Sequence, residues 1–244
     1  MTAALVTTPA LVTSPCRIAS RPERPRRRAS RIRETTNTWW SVDRPNRITK
    51  GNSGRRPFYG VPMTTMYAAL LRGINVGGSR KVPMADLRAL LTSLGHDAVR
   101  THLQSGQAVF ASAHGDEDSL AAELAAAIEK RFGFPVDVIV RDHAYLKGIV
   151  EACPFPAAEL EARQLHVTYF SAPVDADRFA AIDAPAFHPE EFRLGDRALY
   201  LYAPDGLGRS KLAEALGRPR VNKGLIATSR NWNTVTKLVE LTGP

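Results

Sequence analysis

Two cysteines in 244 residues, Cys16 and Cys153, are too few for a disulfide framework or a Cys-x-x-Cys metal site. No apolar run comes near the ~18 residues of a membrane span. The histidines (His96, His102, His114, His143, His166 and His188) form neither a His-Glu-x-x-His motif nor a spaced His/Cys set, so no metal and no cofactor is expected. A secretory leader is not expected either. "MTAALVTTPALVTSPC" lacks a positive start, and two prolines interrupt its apolar stretch. There is no Gly-x-Ser-x-Gly elbow, which leaves Ser105 in "QSGQ" without support as a nucleophile. These absences lead to the expectation of a cytoplasmic, reduced protein without a membrane segment.

Acidic residues are scarce at one end only. Residues 1–65 hold thirteen Lys or Arg against Glu23, Glu34 and Asp43, and seven of the 17 prolines. Residues 66–244 hold 20 basic and 21 acidic residues. The formal charge of +9 therefore belongs to the tail, and the body has no bulk charge with which to bind nucleic acid. The tail shows no helical or strand period, so residues 1–62 are expected to be disordered. Its Arg-rich composition suits a transit peptide, a basic arm, or an upstream extension translated ahead of a start at Met63 or Met66. The last is the reading preferred here.

From Met66 the pattern becomes regular. "MYAALL" reads as a buried strand and the segment from Pro83 to Gly95 as a helix with Leu87, Leu90, Leu91 and Leu94 on one face. "AVRTHLQ" and "QAVFAS" read as strands joined at Ser105-Gly106. Asp116 to Gly133 is a helix charged to suit its dipole, and "PVDVIV" is a fourth strand. The order β-α-β-β-α-β is that of a ferredoxin-like unit. "HVTYFSA", "DADRFAAI", the hairpin across Gly195-Asp196, "SKLAEALG" and the terminal helix "NWNTVTKLVEL" partly repeat it. A fourth strand is missing from this second unit unless "RVNKGLIAT" supplies it. The expected fold is α+β, with ferredoxin-like subdomains over 63–141 and 165–244 and a helix-containing linker over 142–164.

Two loops carry the candidate chemistry. "LRGINVGGSRK" sets Arg72, Gly77, Gly78, Arg80 and Lys81 before a helix, although it fits neither the dinucleotide fingerprint nor the P-loop. Backbone N–H groups freed by glycine and a helix start can still converge on an anion. An ordinary strand-to-helix turn fits these residues equally well. "PDGLGRSKL" repeats the arrangement with Gly208, Arg209 and Lys211, while Asp205-Gly206 and Ser210 are also an ordinary turn and helix cap. Arg230 adds charge. Asn231 either caps the last helix or reaches a ligand. Gln104, Ser105 and Gln107 place amides and a hydroxyl at a hairpin, where a hydrogen-bonded turn explains them as well. Tyr200 and Tyr202 share one strand face and are expected between sheets rather than under stacked bases.

The segments "LRGINVGGSRKVPMADLRALLTSLG", "VRTHLQSGQAVFAS", "LYLYAPDGLGRSKL" and "ATSRNWNTVTKL" resemble the bacterial domain-of-unknown-function family 1697 over about residues 64–242. The resemblance implies a ferredoxin-like α+β fold in two halves and implies no activity. Family members usually read "QSGN", where this chain has Gln107, and "NPFP", where it has Cys153. The second departure argues against Cys153 as a shared nucleophile. The leading expectation is a protein binding a phosphate-bearing small molecule or nucleotide in a cleft lined by both loops. The alternatives are an enzyme on such a ligand, with His102 or His166 brought to "QSGQ", and an RNA-binding or dimeric interaction module working through Tyr200 and Tyr202.

Overall fold

A computed structural model describes residues 64–244 apart from 79, 103–105 and 114. The expectations for residues 1–62 and for Gln104 and Ser105 therefore lie outside the described residues.

The described chain is mixed α+β with two four-stranded antiparallel sheets. In the first, β1 (Thr65–Leu71), β2 (Asp97–His102), β3 (Gln107–Ser112) and β4 (Val138–Asp142) stand in the order β2-β3-β1-β4. In the second, β5 (Leu165–Phe170), β6 (Glu191–Gly195), β7 (Ala198–Tyr202) and β8 (Ala227–Asn231) stand in the order β6-β7-β5-β8. The strand missing from the sequence reading is β8. It is the segment "ATSRN", whose polar residues suit a half-exposed edge.

The central strands read as continuous apolar runs because both their faces are covered. Tyr67, Ala69, Leu71 and Phe110 point to α1 (Met84–Ser93) and α2 (Glu117–Phe132). Ala68, Leu70 and Val109 point the other way, into a core shared with Val167, Tyr169 and Tyr200 of the second sheet. Two helices complete that middle layer: α3 (His143–Glu151), with Leu146 and Ile149, and α5 (Trp232–Thr242), with Val235 and Leu238. Each follows its strand without a loop, because Asp142 and Asn231 act as N-caps. Asp142 accepts from the Tyr145 N–H at 2.7 Å, and Asn231 from the Thr234 N–H at 3.0 Å.

The outer face of the second sheet is more thinly covered. Phe170, Leu199 and Leu201 cluster with α4 (Lys211–Leu216), six residues long, short 3-10 turns at Ala176–Phe179 and Ala184–Phe187, and connecting residues such as Leu207 and Val221. "DADRFAAI" was expected to be a short helix and forms the first of these turns.

Two arginines tie the halves together in a reciprocal way. Arg141 of β4 donates to the carbonyl of Phe170, the last residue of β5. Arg230 of β8 donates to the carbonyl of Leu71, the last residue of β1, at 2.8 Å. Among the described residues no helix is long and apolar enough to cross a membrane.

Candidate functional site

The loop after β1 is a closed knob. Ile74 and Val82 are buried and hold its ends in the core. The Asn75 amide ties them, donating to the Val82 carbonyl at 3.0 Å and accepting from the Val82 N–H at 2.9 Å. The tight path places Gly73, Asn75, Gly77, Gly78 and Arg80 at positive φ, the region that glycine enters most cheaply. Gly77, Gly78, Arg80 and Lys81 face solvent beside Val76, which is 64% exposed. The Gly106 end of the "QSGQ" turn packs underneath. Its carbonyl accepts from the Leu71 N–H at 2.9 Å, and a Cβ there would stand 2.8 Å from the Ile74 side chain. The first basic loop and that turn are thus neighbours.

The second loop differs from the expectation in one respect. Ser210 caps α4, accepting from the Ala213 N–H at 2.8 Å. The Glu190 carboxylate accepts from the Ser210 hydroxyl and the Leu212 N–H, both at 2.8 Å. The protein's own carboxylate already fills the helix start, the place a bound anion would take. Gly208, Arg209 and Lys211 remain exposed on the surface.

Arg230 and Asn231 turn out to have structural partners. Arg230 bonds Thr228, the Ser229 carbonyl and Leu71, and burial pushes its guanidinium pKa down to about 10. Asn231 spends its side-chain oxygen on Thr234. Tyr200 is buried, and its hydroxyl donates to the Ile149 carbonyl at 2.8 Å, so its ring is not a platform for a base. Tyr202 packs against Phe155 with ring centroids 6.1 Å apart. Cys153 is half-buried, and burial pushes its thiol pKa up, away from a reactive thiolate. His102 ends β2 opposite Gln107, whereas His166 lies in the other sheet, opposite Leu201 and Asn231.

The thin cover over the second sheet leaves a pocket of about 200 Å³. Phe170, Leu199, Leu201, Phe179, Leu207, Ala213, Leu216 and Ala227 wall it, with Thr168, Ser229 and Asn222 as polar members. Arg72 also lines it, and its half-exposed side chain puts the guanidinium at the rim. Arg72 pairs with Asp137, Nη1 to Oδ2, at 3.2 Å. Of the candidate residues, this pocket takes Arg72 alone. The remaining lining was missed because it is ordinary sheet and helix sequence. The one signal was Thr168, a hydroxyl inside the apolar strand "LHVTYF".

Comparison with known proteins bears on the fold. A conserved bacterial protein from Streptococcus pneumoniae shares it, with 23% identity and a TM-score of 0.60, over 74% of this chain and 99% of that one. Comparison with curated proteins gives no match. Residues 63–200 match the family described as Protein of unknown function (DUF1697). That span is more than half of the sequence, and this chain belongs to the DUF1697 family.

Proposed function

We propose that this protein binds a small anion in the pocket beneath Arg72. The observation that carries the reading is the origin of that residue. Arg72 belongs to the basic glycine loop of the first half, yet it stands at the rim of a pocket walled by the second half. A guanidinium gives an anion charge-assisted hydrogen bonds, which are stronger than neutral ones. Arg80, Lys81, Arg209 and Lys211 add positive potential at the surface, and the bare backbone at Gly77 and Gly78 leaves room around the loop. A phosphate-bearing metabolite is one such anion. The cytoplasm is the compartment we assign.

The same reading treats residues 63–141 and 165–244 as ferredoxin-like subdomains in tandem, joined by 142–164. Matching strand orders and the reciprocal arginines Arg141 and Arg230 support it. In it, ligand binding and the contact between halves are linked through β1, since Leu71 bonds Arg230 and Arg72 follows it directly.

Thermal unfolding of the full chain tests the binding, with phosphate, sugar phosphates, nucleotides and carboxylates as probes. A ligand at about 100 times its Kd stabilises by about 2.7 kcal/mol, a shift of roughly 5–11 °C for a protein of this size. A shift that Arg72→Ala abolishes is the expected result. No shift with any anion would overturn the proposal.

A further inference from the structure

We infer that the ligand of this pocket is a monocarboxylic acid with a compact apolar body of roughly six to nine carbons, inserted body first with its carboxylate at Arg72. This rests on the anion-binding reading and narrows it. Three features of the pocket set the class.

The first is the lining. Phe170, Leu199 and Leu201 are each 2% exposed and form a hydrophobic floor. The polar groups among them are few and partly engaged with each other or with the backbone. The Thr168 and Ser229 hydroxyls bond each other, and the Asn222 amide donates to the Leu216 carbonyl at 2.8 Å. A sugar or a nucleobase entering here would lose more hydrogen bonds to water than these few groups can replace, whereas a hydrocarbon loses none.

The second is size. The pocket measures about 200 Å³, and an aliphatic cavity of about 150 Å³ accommodates benzene. A chain or ring of a few more carbons fills the space, and a nucleoside does not fit inside it.

The third is charge at the rim. Arg72 brings one positive charge and shares it with Asp137 at 3.2 Å. The guanidinium has five N–H donors, so a carboxylate can take those that Asp137 leaves. A phosphate dianion would set two negative charges beside the Asp137 carboxylate, whereas a carboxylate sets one. The monoanion is the better match.

Titration calorimetry on the full chain tests this with heptanoate, 1-heptanol, inorganic phosphate and AMP. Heptanoate is expected to bind with a negative heat-capacity change, the mark of apolar burial. Heptanol, which lacks the charge, should bind at least tenfold more weakly. Arg72→Gln should weaken heptanoate at least tenfold and leave heptanol unchanged. Ala213→Met, which fills the pocket from α4, should abolish both. Ala227→Leu fills it from β8 and serves as the second variant, with circular dichroism to verify folding. Arg72-dependent binding of phosphate or AMP without heptanoate would overturn this inference and leave the anion pocket standing. Silence from all four probes would overturn both readings. Heptanoate binding that survives both filling variants would place it elsewhere and overturn the inference.

Discussion

The Arg230 guanidinium donates to the Leu71 carbonyl at 2.8 Å, joining the last strand of the second sheet to the end of the first strand of the other. Arg141 makes the mirror-image contact with Phe170. In each case the arginine sits one residue before the N-cap of a middle-layer helix, Asp142 or Asn231. One strand end thus starts a helix and reaches across the core. The planar guanidinium can serve several acceptors at once, which suits a junction of carbonyls better than an ammonium would.

Arg230→Met tests that junction. The substitution keeps much of the apolar stem and leaves the carbonyl of Leu71, a residue 1% exposed, without this donor. A buried unsatisfied acceptor costs roughly 1–3 kcal/mol. A loss of about 2–3 kcal/mol is expected, because the bonds to Thr228 and Ser229 go too. Urea unfolding should show a lower midpoint with an unchanged slope. An unaltered midpoint would show that the contact contributes nothing to the joining of the halves.

Glu117 holds the opposite arginine. Its carboxylate accepts from Arg141 at 3.2 Å, from Arg197 at 2.9 Å and from the Asp142 N–H at 3.0 Å. The Arg141 side chain is 1% exposed and that of Glu117 17%, so removing the acid strands a buried charge. Glu117→Ala should cost about 3–5 kcal/mol, as broken buried pairs do. Arg141→Met in the same chain should recover part of that loss, because the stranded charge is then gone as well. A double variant no more stable than Glu117→Ala would argue against the pairing.

What was legible in the sequence follows from local rules. "QAVFAS" matches β3 in its bounds because a strand covered on both faces must be apolar throughout. Asp116 and Gly133 bound α2 as cap and left-handed stop, both readable from residue type alone. The misses are non-local. The partner of Arg230 is a backbone carbonyl 159 residues away, and a carbonyl has no signature in sequence. Glu190 reaches the start of α4 from 20 residues earlier, which turns an apparent anion site into a filled cap. The pocket arises from a shortage of helix over the second sheet, and a shortage leaves no motif. Helix α3 lay within the segment read as a linker, where its helix was expected but its place in the middle layer was not.

Gly106 and Gly77 should respond differently to alanine. Both have positive φ, +88° and +61°. Only at Gly106 would the new Cβ meet the core, 2.8 Å from Ile74 and 3.1 Å from Leu71. Gly77→Ala carries backbone strain alone, about 1 kcal/mol. Gly106→Ala adds overpacking to that strain and should lose about 2–4 kcal/mol. Denaturant midpoints separate the two. Equal losses would mean that the turn and the knob are not packed against each other.

His166 makes the folded protein less stable in acid. Its side chain is buried in β5, Nδ1 has no hydrogen-bond partner among the described residues, and burial holds its pKa below the ordinary 6.5. Well above pH 6.5 the imidazole is neutral in both folded and unfolded chains, and its titration contributes nothing to the pH slope. As the pH falls through that value the unfolded chain takes up the proton first, so folding loses stability until the lowered folded pKa is passed. His166→Leu removes this titration. The fall in unfolding free energy between pH 7 and pH 5 should be smaller in the variant than in the parent, measured by urea unfolding at each pH. An equal or steeper fall would mean that His166 is protonated as readily folded as unfolded, and that other groups carry the acid sensitivity.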